Sequence, residues 1–222
     1  MRLEVEINYN ITKGQVYSMA MLVQRALTKS LDSLLMADLN RAQSVIDEND
    51  KIKNYECKIH DSSLSTLLLD QAPSQMVDSI FSLQKINHLL DCIGKQVMQI
   101  AQSTVVLASS RINEEFVDLR PLAGYCLHVY SESVAVFFNG TSAVSDGIFE
   151  TINKIYSLKS SILNKTVEKV TAGQMFFQFA IEVVNLCKSI ETISELSRQI
   201  ADEMGRPCQA KKLKASKIGS LA

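Results

Sequence analysis

Apolar residues in this chain recur at steps of three and four, which is the spacing of one face of an α-helix. Prolines and glycines are few, so long helices can run without a break. The rows of apolar positions predict helical segments near residues 16–34, 45–66, 83–104, 121–139, 142–170 and 179–204. We therefore predict an all-α fold built from six long helices.

Polar residues interrupt this pattern in two ways. Short breaks separate the segments: a turn at Ala37-Asp38, a break at 70–73 and a stop at 171–173. The proline at the end of the second break suits the first turn of a new helix, where its missing N–H is not needed. Within the second row, Asn49 and Glu56 occupy positions that the helical period assigns to the apolar face.

The two halves of the chain are related to each other. Residues 90–95 read LDCIGK and residues 190–195 read IETISE, and the same offset of 100 positions relates QIA at 99–101 to QIA at 199–201. Both segments lie in the third helix of a half, which indicates a duplication and predicts two antiparallel three-helix bundles. The predicted divisions are an N-terminal segment 1–14, a first repeat 15–110, a linker 111–119, a second repeat 120–204 and a basic tail 205–222.

Composition narrows the class of protein. The 222-residue chain has a formal net charge of −1 at pH 7, so it lacks the basic excess of a large nucleic-acid footprint. Its five cysteines are widely spaced without a CxxC pair, and its first residues are too charged for a secretory signal. Reduced thiols in a cytoplasmic protein are the simplest interpretation. No apolar run approaches the ~18 residues that a membrane span needs.

Signatures of common enzyme classes are absent from the sequence, which contains no GxGxxG, GxxxxGK[ST], GxSxG or HExxH. The paired Glu-x-x-His motifs of ferritin-like di-iron bundles are missing as well. We therefore expect a protein that is not an enzyme and that has no catalytic residues.

Glu191 and Glu195 are the strongest chemical signal. A spacing of four places both carboxylates on one helix face, where their repulsion costs about 0.2–0.5 kcal/mol in an isolated helix. A metal ion held between the two would remove that cost, because hard and borderline metals accept carboxylate oxygens. A solvated acidic face is the alternative, and the spacing alone does not decide between them.

The matching positions in the first half are Asp91 and Lys95, which are spaced as a helix ion pair rather than as two metal ligands. His88 lies three residues before Asp91 and could share its face, although a helical histidine is far more often a surface or packing residue. We expect metal to bind more readily in the second half, at Glu191 and Glu195, with Asp91 as a weaker candidate ligand.

Several of these segments together resemble the PhoU family. Repeats of that family carry V-x-x-x-D-x-x-I-x-x-x-E-x-x-I in the second helix, a Q-x-P turn, and L-E-R-I-G-D in the third helix. This chain has the second-helix pattern at 45–59 with Asn49 in place of the acid, and the turn as Gln71-Ala72-Pro73. It has LDCIGK at 90–95, with Lys95 in place of the acid, and a second match at 189–195.

The resemblance implies a regulator of phosphate uptake and phosphate homeostasis, a signalling adaptor between a phosphate transporter and its sensor or control proteins. In some members of the family the E/D-x-x-x-D motifs bind iron or zinc, and the corresponding positions here are Asp91 with Lys95 and Glu191 with Glu195. Two other classes stay open: a carboxylate-metal enzyme or metal store in a helical bundle, and a metal-free helical accessory subunit of a transporter. The oligomeric state, including a homodimer, is open too.

The tail from residue 205 to residue 222 contains five cations and no acid. The cytoplasmic leaflet is anionic, and each cation near its surface can contribute on the order of 1 kcal/mol. This predicts a weak, salt-sensitive peripheral association with the inner face of the cell membrane. A tail that only solubilises the protein is the alternative.

Overall fold

A computed structural model describes residues 2–69, 73–109, 118–139 and 145–204. This part of the chain forms six α-helices, and it contains no strand, which confirms the predicted all-α fold. The helices are α1 (Arg2–Met36), α2 (Leu39–Leu67), α3 (Ser74–Ser109), α4 (Arg120–Asn139), α5 (Ser145–Thr171) and α6 (Phe177–Met204).

The helices are arranged as two three-helix bundles, as the sequence predicts. In the first bundle α1, α2 and α3 all contact one another, and in the second α4, α5 and α6 do the same. The bundles meet through α1 against α4 and α3 against α6, so equivalent helices of the two halves face each other. The inner helices α1, α3, α4 and α6 therefore contact helices of their own bundle and a helix of the other bundle. Helices α2 and α5 pack within their own bundles and lie on the outside.

Specific bonds fix how the two bundles meet. The Tyr130 hydroxyl on α4 donates to the Ala20 carbonyl on α1 at 2.7 Å, inside the core. Lys85, near the start of α3, lies 2.5 Å from a carboxylate oxygen of Glu203, near the end of α6. The beginning of one helix thus lies beside the end of the other, so α3 and α6 run antiparallel.

Helix α1 begins well upstream of the predicted start at residue 15. Its buried row extends backwards from Val16 to Thr12 and Val5, four and then seven residues away, which is one and then two turns of the same helix face. Charged neighbours such as Glu4 and Glu6 hide this row in the sequence. Residues 2–14 consequently belong to α1 rather than to a separate N-terminal segment, whereas most of the predicted linker, residues 111–117, and the tail 205–222 lie outside the described residues.

Two helix ends use the same hydrogen-bonding pattern with different residues. At the end of α1 the Asp38 N–H donates to the Ser33 carbonyl at 2.9 Å, and Ala37 has φ +51°. At the end of α5 the Gln174 N–H donates to the Lys169 carbonyl at 2.8 Å, and Gly173 has φ +69°. Both are Schellman-type caps, which require a left-handed residue that glycine supplies without strain and alanine does not.

This difference leads to a paired prediction for the free energy of unfolding. Ala37→Gly should raise it by about 0.5–1 kcal/mol, because the left-handed conformation costs alanine more than the extra unfolded-state entropy costs glycine. Gly173→Ala should lower it by a similar amount. Apart from the two chain neighbours of Gly173, no atom of the described residues lies within 4 Å of the added Cβ, so the loss would be conformational.

Urea unfolding followed by circular dichroism measures both changes. The two variants serve as controls for each other, because they exchange the same methyl group in opposite directions. Equal signs for the two changes would contradict the assignment of strain to Ala37.

Candidate functional site

Glu191 and Glu195 lie on the face of α6 that packs against α5. Lys159 of α5 places its ammonium 2.6 Å from Glu191 Oε2, and the Tyr156 hydroxyl of α5 donates to Glu195 Oε1. The two carboxylates are mostly shielded, with 23% of the Glu191 side chain and 30% of the Glu195 side chain exposed. The pair therefore forms a bridge between two helices rather than a freely solvated acidic face.

Arg198 completes the contacts of Glu195 on α6. Its Nε lies 3.3 Å from Glu195 Oε2, its Nη1 bonds Asp202 Oδ2, and its guanidinium lies 5.4 Å from the centre of the Phe149 ring. Three of the four carboxylate oxygens of Glu191 and Glu195 consequently already accept from a donor of the protein.

The contact with Glu195 changes the pKa of the Tyr156 phenol. Its hydrogen bond to Glu195, followed by partial burial and the negative charges of Glu195 and Glu191, raises its pKa to about 12. Tyr156 therefore stays protonated, and donates, throughout the physiological range.

In the first bundle Asp91 bonds to Lys95 of the same helix, with the ammonium 2.7 Å from Asp91 Oδ2. Only 14% of the Asp91 side chain is exposed, against 55% of the Lys95 side chain. The pKa of Lys95 is raised, first by the hydrogen bond to Asp91 and then by the negative charges of Asp91 and of Glu56 on α2. The predicted helix ion pair is present, and Glu56 adds a second carboxylate from the neighbouring helix.

Close packing of α2 on α3 positions this first group. The Asn87 amide on α3 donates to the Glu56 carbonyl on α2 at 3.0 Å. A Cβ added at Gly94 would lie 3.1 Å from Cγ2 of Ile52, so glycine permits the close approach of the two helices. The glycine of LDCIGK thus places α2 directly beside Asp91 and Lys95.

The metal that the family resemblance implies does not fit these donors. Iron and zinc need several free oxygen, nitrogen or sulfur ligands around one point. Among the residues that the structure describes, no group of three or more His, Cys, Asp or Glu side chains could hold a metal ion. His88 contacts Cys92 at 3.6 Å, and the carboxylates of Asp91 and Glu191 are each bonded to an ammonium.

Three residues of the second site were not found from the sequence: Tyr156, Lys159 and Arg198. They surround Glu191 and Glu195, but two of them come from α5, whose sequence carries no family motif. Arg198 could have been found, because it lies three residues after Glu195 on the same helix. Identifying Lys159 would have required the register of α5 against α6.

The sequence of this chain is similar to those of known proteins. The family model of the PhoU domain matches residues 16–104. A relative from Aquifex aeolicus is 25% identical over 148 residues, which cover 65% of this chain and 67% of the relative. A second from Pseudomonas aeruginosa is 21% identical over 194 residues, covering 86% of this chain and 79% of the relative. Both carry the name phosphate-specific transport system accessory protein PhoU homolog.

Two crystal structures have the same fold as the chain. PhoU from Pseudomonas aeruginosa superposes with a TM-score of 0.84 at 18% identity, covering 90% of this chain and 96% of its own. The phosphate transport system regulatory protein PhoU from Streptococcus pneumoniae superposes with a TM-score of 0.80 at 14% identity. The superposition covers 90% of this chain and 94% of the Streptococcus pneumoniae chain. The fold similarity extends across both bundles, including the second half, which the family model does not reach.

The raised pKa of Tyr156 predicts a pH dependence of stability. Because the folded pKa of about 12 exceeds the ordinary value of 10, the stabilisation is fully present below pH 10 and is lost as the pH rises through 12. We expect the free energy of unfolding to fall more steeply between pH 10 and pH 12 in the wild type than in Tyr156→Phe.

Urea unfolding at a series of pH values measures both slopes. Tyr55→Phe, which changes a tyrosine on the outer helix of the other bundle, is the matched control. Parallel curves for wild type and Tyr156→Phe would contradict the role of the bond to Glu195.

Proposed function

We propose that this chain, a divergent member of the PhoU family, regulates phosphate uptake and phosphate homeostasis. It works as an adaptor between a phosphate transporter and the sensor or control proteins of that transporter. It is not an enzyme, and its activity consists of binding to those proteins.

The observation that carries the proposal is the combination of a PhoU-domain match in the first bundle with a fold match over both bundles. The relatives aligned with the chain bear the name of accessory proteins of the phosphate-specific transport system. An accessory protein of a transport system acts by contact with other components, so the surface of this chain has to supply the function.

The second bundle offers a surface suited to such contacts. Phe177, Ile181 and Val184 lie at steps of four and three on α6, and they are 72%, 43% and 45% exposed. Apolar side chains in line on an exposed helix face are a feature of protein interaction surfaces. We infer that a protein component of the phosphate transport system binds to this stripe.

The adaptor is proposed to work in the cytoplasm, where it reaches the inner face of the cell membrane through its partner. Among the helices described, none combines the length and the apolar character needed to cross a bilayer. The basic tail 205–222 would add an electrostatic attraction to anionic lipid.

Deletion of the gene in its own host tests the regulatory role. Uptake of radiolabelled phosphate should lose its normal dependence on external phosphate, because the link between transporter and control proteins is missing. Supplying the intact chain from a plasmid should restore the dependence.

Sulfate uptake in the same cells is the control for general damage to the membrane. An unchanged response of phosphate uptake after deletion would contradict the proposed function. A chain in which Phe177 and Ile181 are both changed to Asp should fail to restore the response while retaining its helical circular dichroism, if the stripe contacts the transport system.

The tail leads to a separate prediction about membranes. Deletion of residues 205–222 should lower co-sedimentation with vesicles containing anionic lipid at low salt, because five cations are removed. The difference should vanish at high salt, where the attraction is screened.

Vesicles of neutral lipid are the control, and circular dichroism checks that the helical fold is intact. Equal sedimentation of the deleted and full-length proteins would show that the tail is passive and that membrane location depends on the protein partner alone.

A further inference from the structure

The outer helices α2 and α5 can be aligned through their buried positions. Both helices carry a buried row, and five positions of one row each lie 103 residues from a buried position of the other. The pairs are Val45 with Ile148, Asn49 with Ile152, Ile52 with Ile155, Ile59 with Ile162, and Ser63 with Thr166. This register places Glu56 of the first bundle at the position of Lys159 in the second.

Combined with the offset of 100 on the inner helices, the alignment defines one three-position group in each bundle. The first bundle has Glu56 on α2 with Asp91 and Lys95 on α3. The second has Lys159 on α5 with Glu191 and Glu195 on α6. Each charge triad, as we name these two groups, contains two carboxylates and one lysine, but the lysine stands at a different position.

We propose that Lys95 and Lys159 take the place of metal ions in the two charge triads, so that this chain holds its acidic motifs with internal ammonium groups. In the second bundle the acidic motif then ties the outer helix to the inner one through Lys159 and Glu191. In the first bundle Lys95 bonds Asp91 within α3, and the charge of Glu56 on α2 acts on it from the outer helix. This inference concerns the chemistry of the triads, and it goes beyond the proposed regulatory function without depending on it.

The contacts favour an ammonium over a divalent ion at each triad. In both triads the ammonium is bonded to a largely shielded carboxylate of the inner helix: Asp91 at 2.7 Å and Glu191 at 2.6 Å. A metal ion would have to displace that lysine or bind beside its positive charge, and in the second triad it would also compete with Tyr156 and Arg198 for Glu195. Two carboxylates that are already neutralised in part attract a cation weakly.

The arrangement also predicts how a metal site could be created. Changing the single lysine of a triad to glutamate would leave three carboxylates, two on an inner helix and one on the facing outer helix. Oxygen ligands from several directions are what Mn²⁺ binds, and the cysteines of the chain are poor competitors for that ion. K159E and K95E should therefore each gain a site that the wild type lacks.

The experiment measures Mn²⁺ binding by electron paramagnetic resonance after chelator treatment and dialysis. K159E and K95E should each bind about one Mn²⁺ per chain at least tenfold more tightly than the wild type, and Mn²⁺ should raise their melting temperatures. K165E makes the same charge change at an exposed position of α5 and should behave like the wild type.

Two results would overturn the proposal. The first is wild-type protein that binds Mn²⁺ as tightly as K159E, or a K159E and a K95E that both fold, by circular dichroism, without gaining affinity. The second does not need the lysine variants: it is wild-type protein from cells grown with iron, zinc and manganese that contains stoichiometric metal, with that metal lost in Glu191→Gln/Glu195→Gln. This second measurement decides the matter even if both lysine variants fail to fold.

Discussion

The burial of the faces shared by α1, α3, α4 and α6 is the constraint on which the rest of this structure depends. Residues such as Leu27, Leu90 and Ile190 from three of these helices are fully buried in one contiguous core. The Tyr130 phenol enters that core only because the Ala20 carbonyl accepts its hydrogen bond, and burial raises the pKa of the phenol. Once the inner helices are fixed on two sides, α2 and α5 can pack only from outside, each with one face.

This one-sided packing explains where the polar residues of the apolar rows lie. Several serine and threonine hydroxyls within the core bond to carbonyls of their own helix, as Thr104 does to Ile100 and Ser197 does to Ile193. The charged positions lie at the boundary between the core and solvent, where an outer helix leaves an inner one. A lysine at that boundary can keep its ammonium partly in water while it contacts a shielded carboxylate, as Lys159 does with Glu191.

The helical rows predicted most of the fold because burial and helical period coincide along these helices. The upstream part of α1 was missed where Glu4 and Glu6 lie between buried positions, since charge on the exposed face conceals a continuing row. Less of the candidate site could be predicted from the sequence. Spacing placed Glu191 and Glu195 on one face, but whether a metal or a lysine lay between them depended on α5, and no local pattern reveals which residue of one helix faces another.

The position of the lysine in the two triads shows what the duplicated halves have in common. Lys159 occupies the position that Glu56 has in the first triad. If that were the one difference between the two triads, the second would contain two lysines and one carboxylate. The second bundle avoids that excess because Glu195 stands where the first has Lys95. Two carboxylates and one ammonium are thus the composition that both helix pairs accommodate, whichever helix provides the lysine. Because opposite charges attract independently of which backbone carries them, the requirement at this boundary is for one ammonium beside two carboxylates, and not for a lysine on a particular helix.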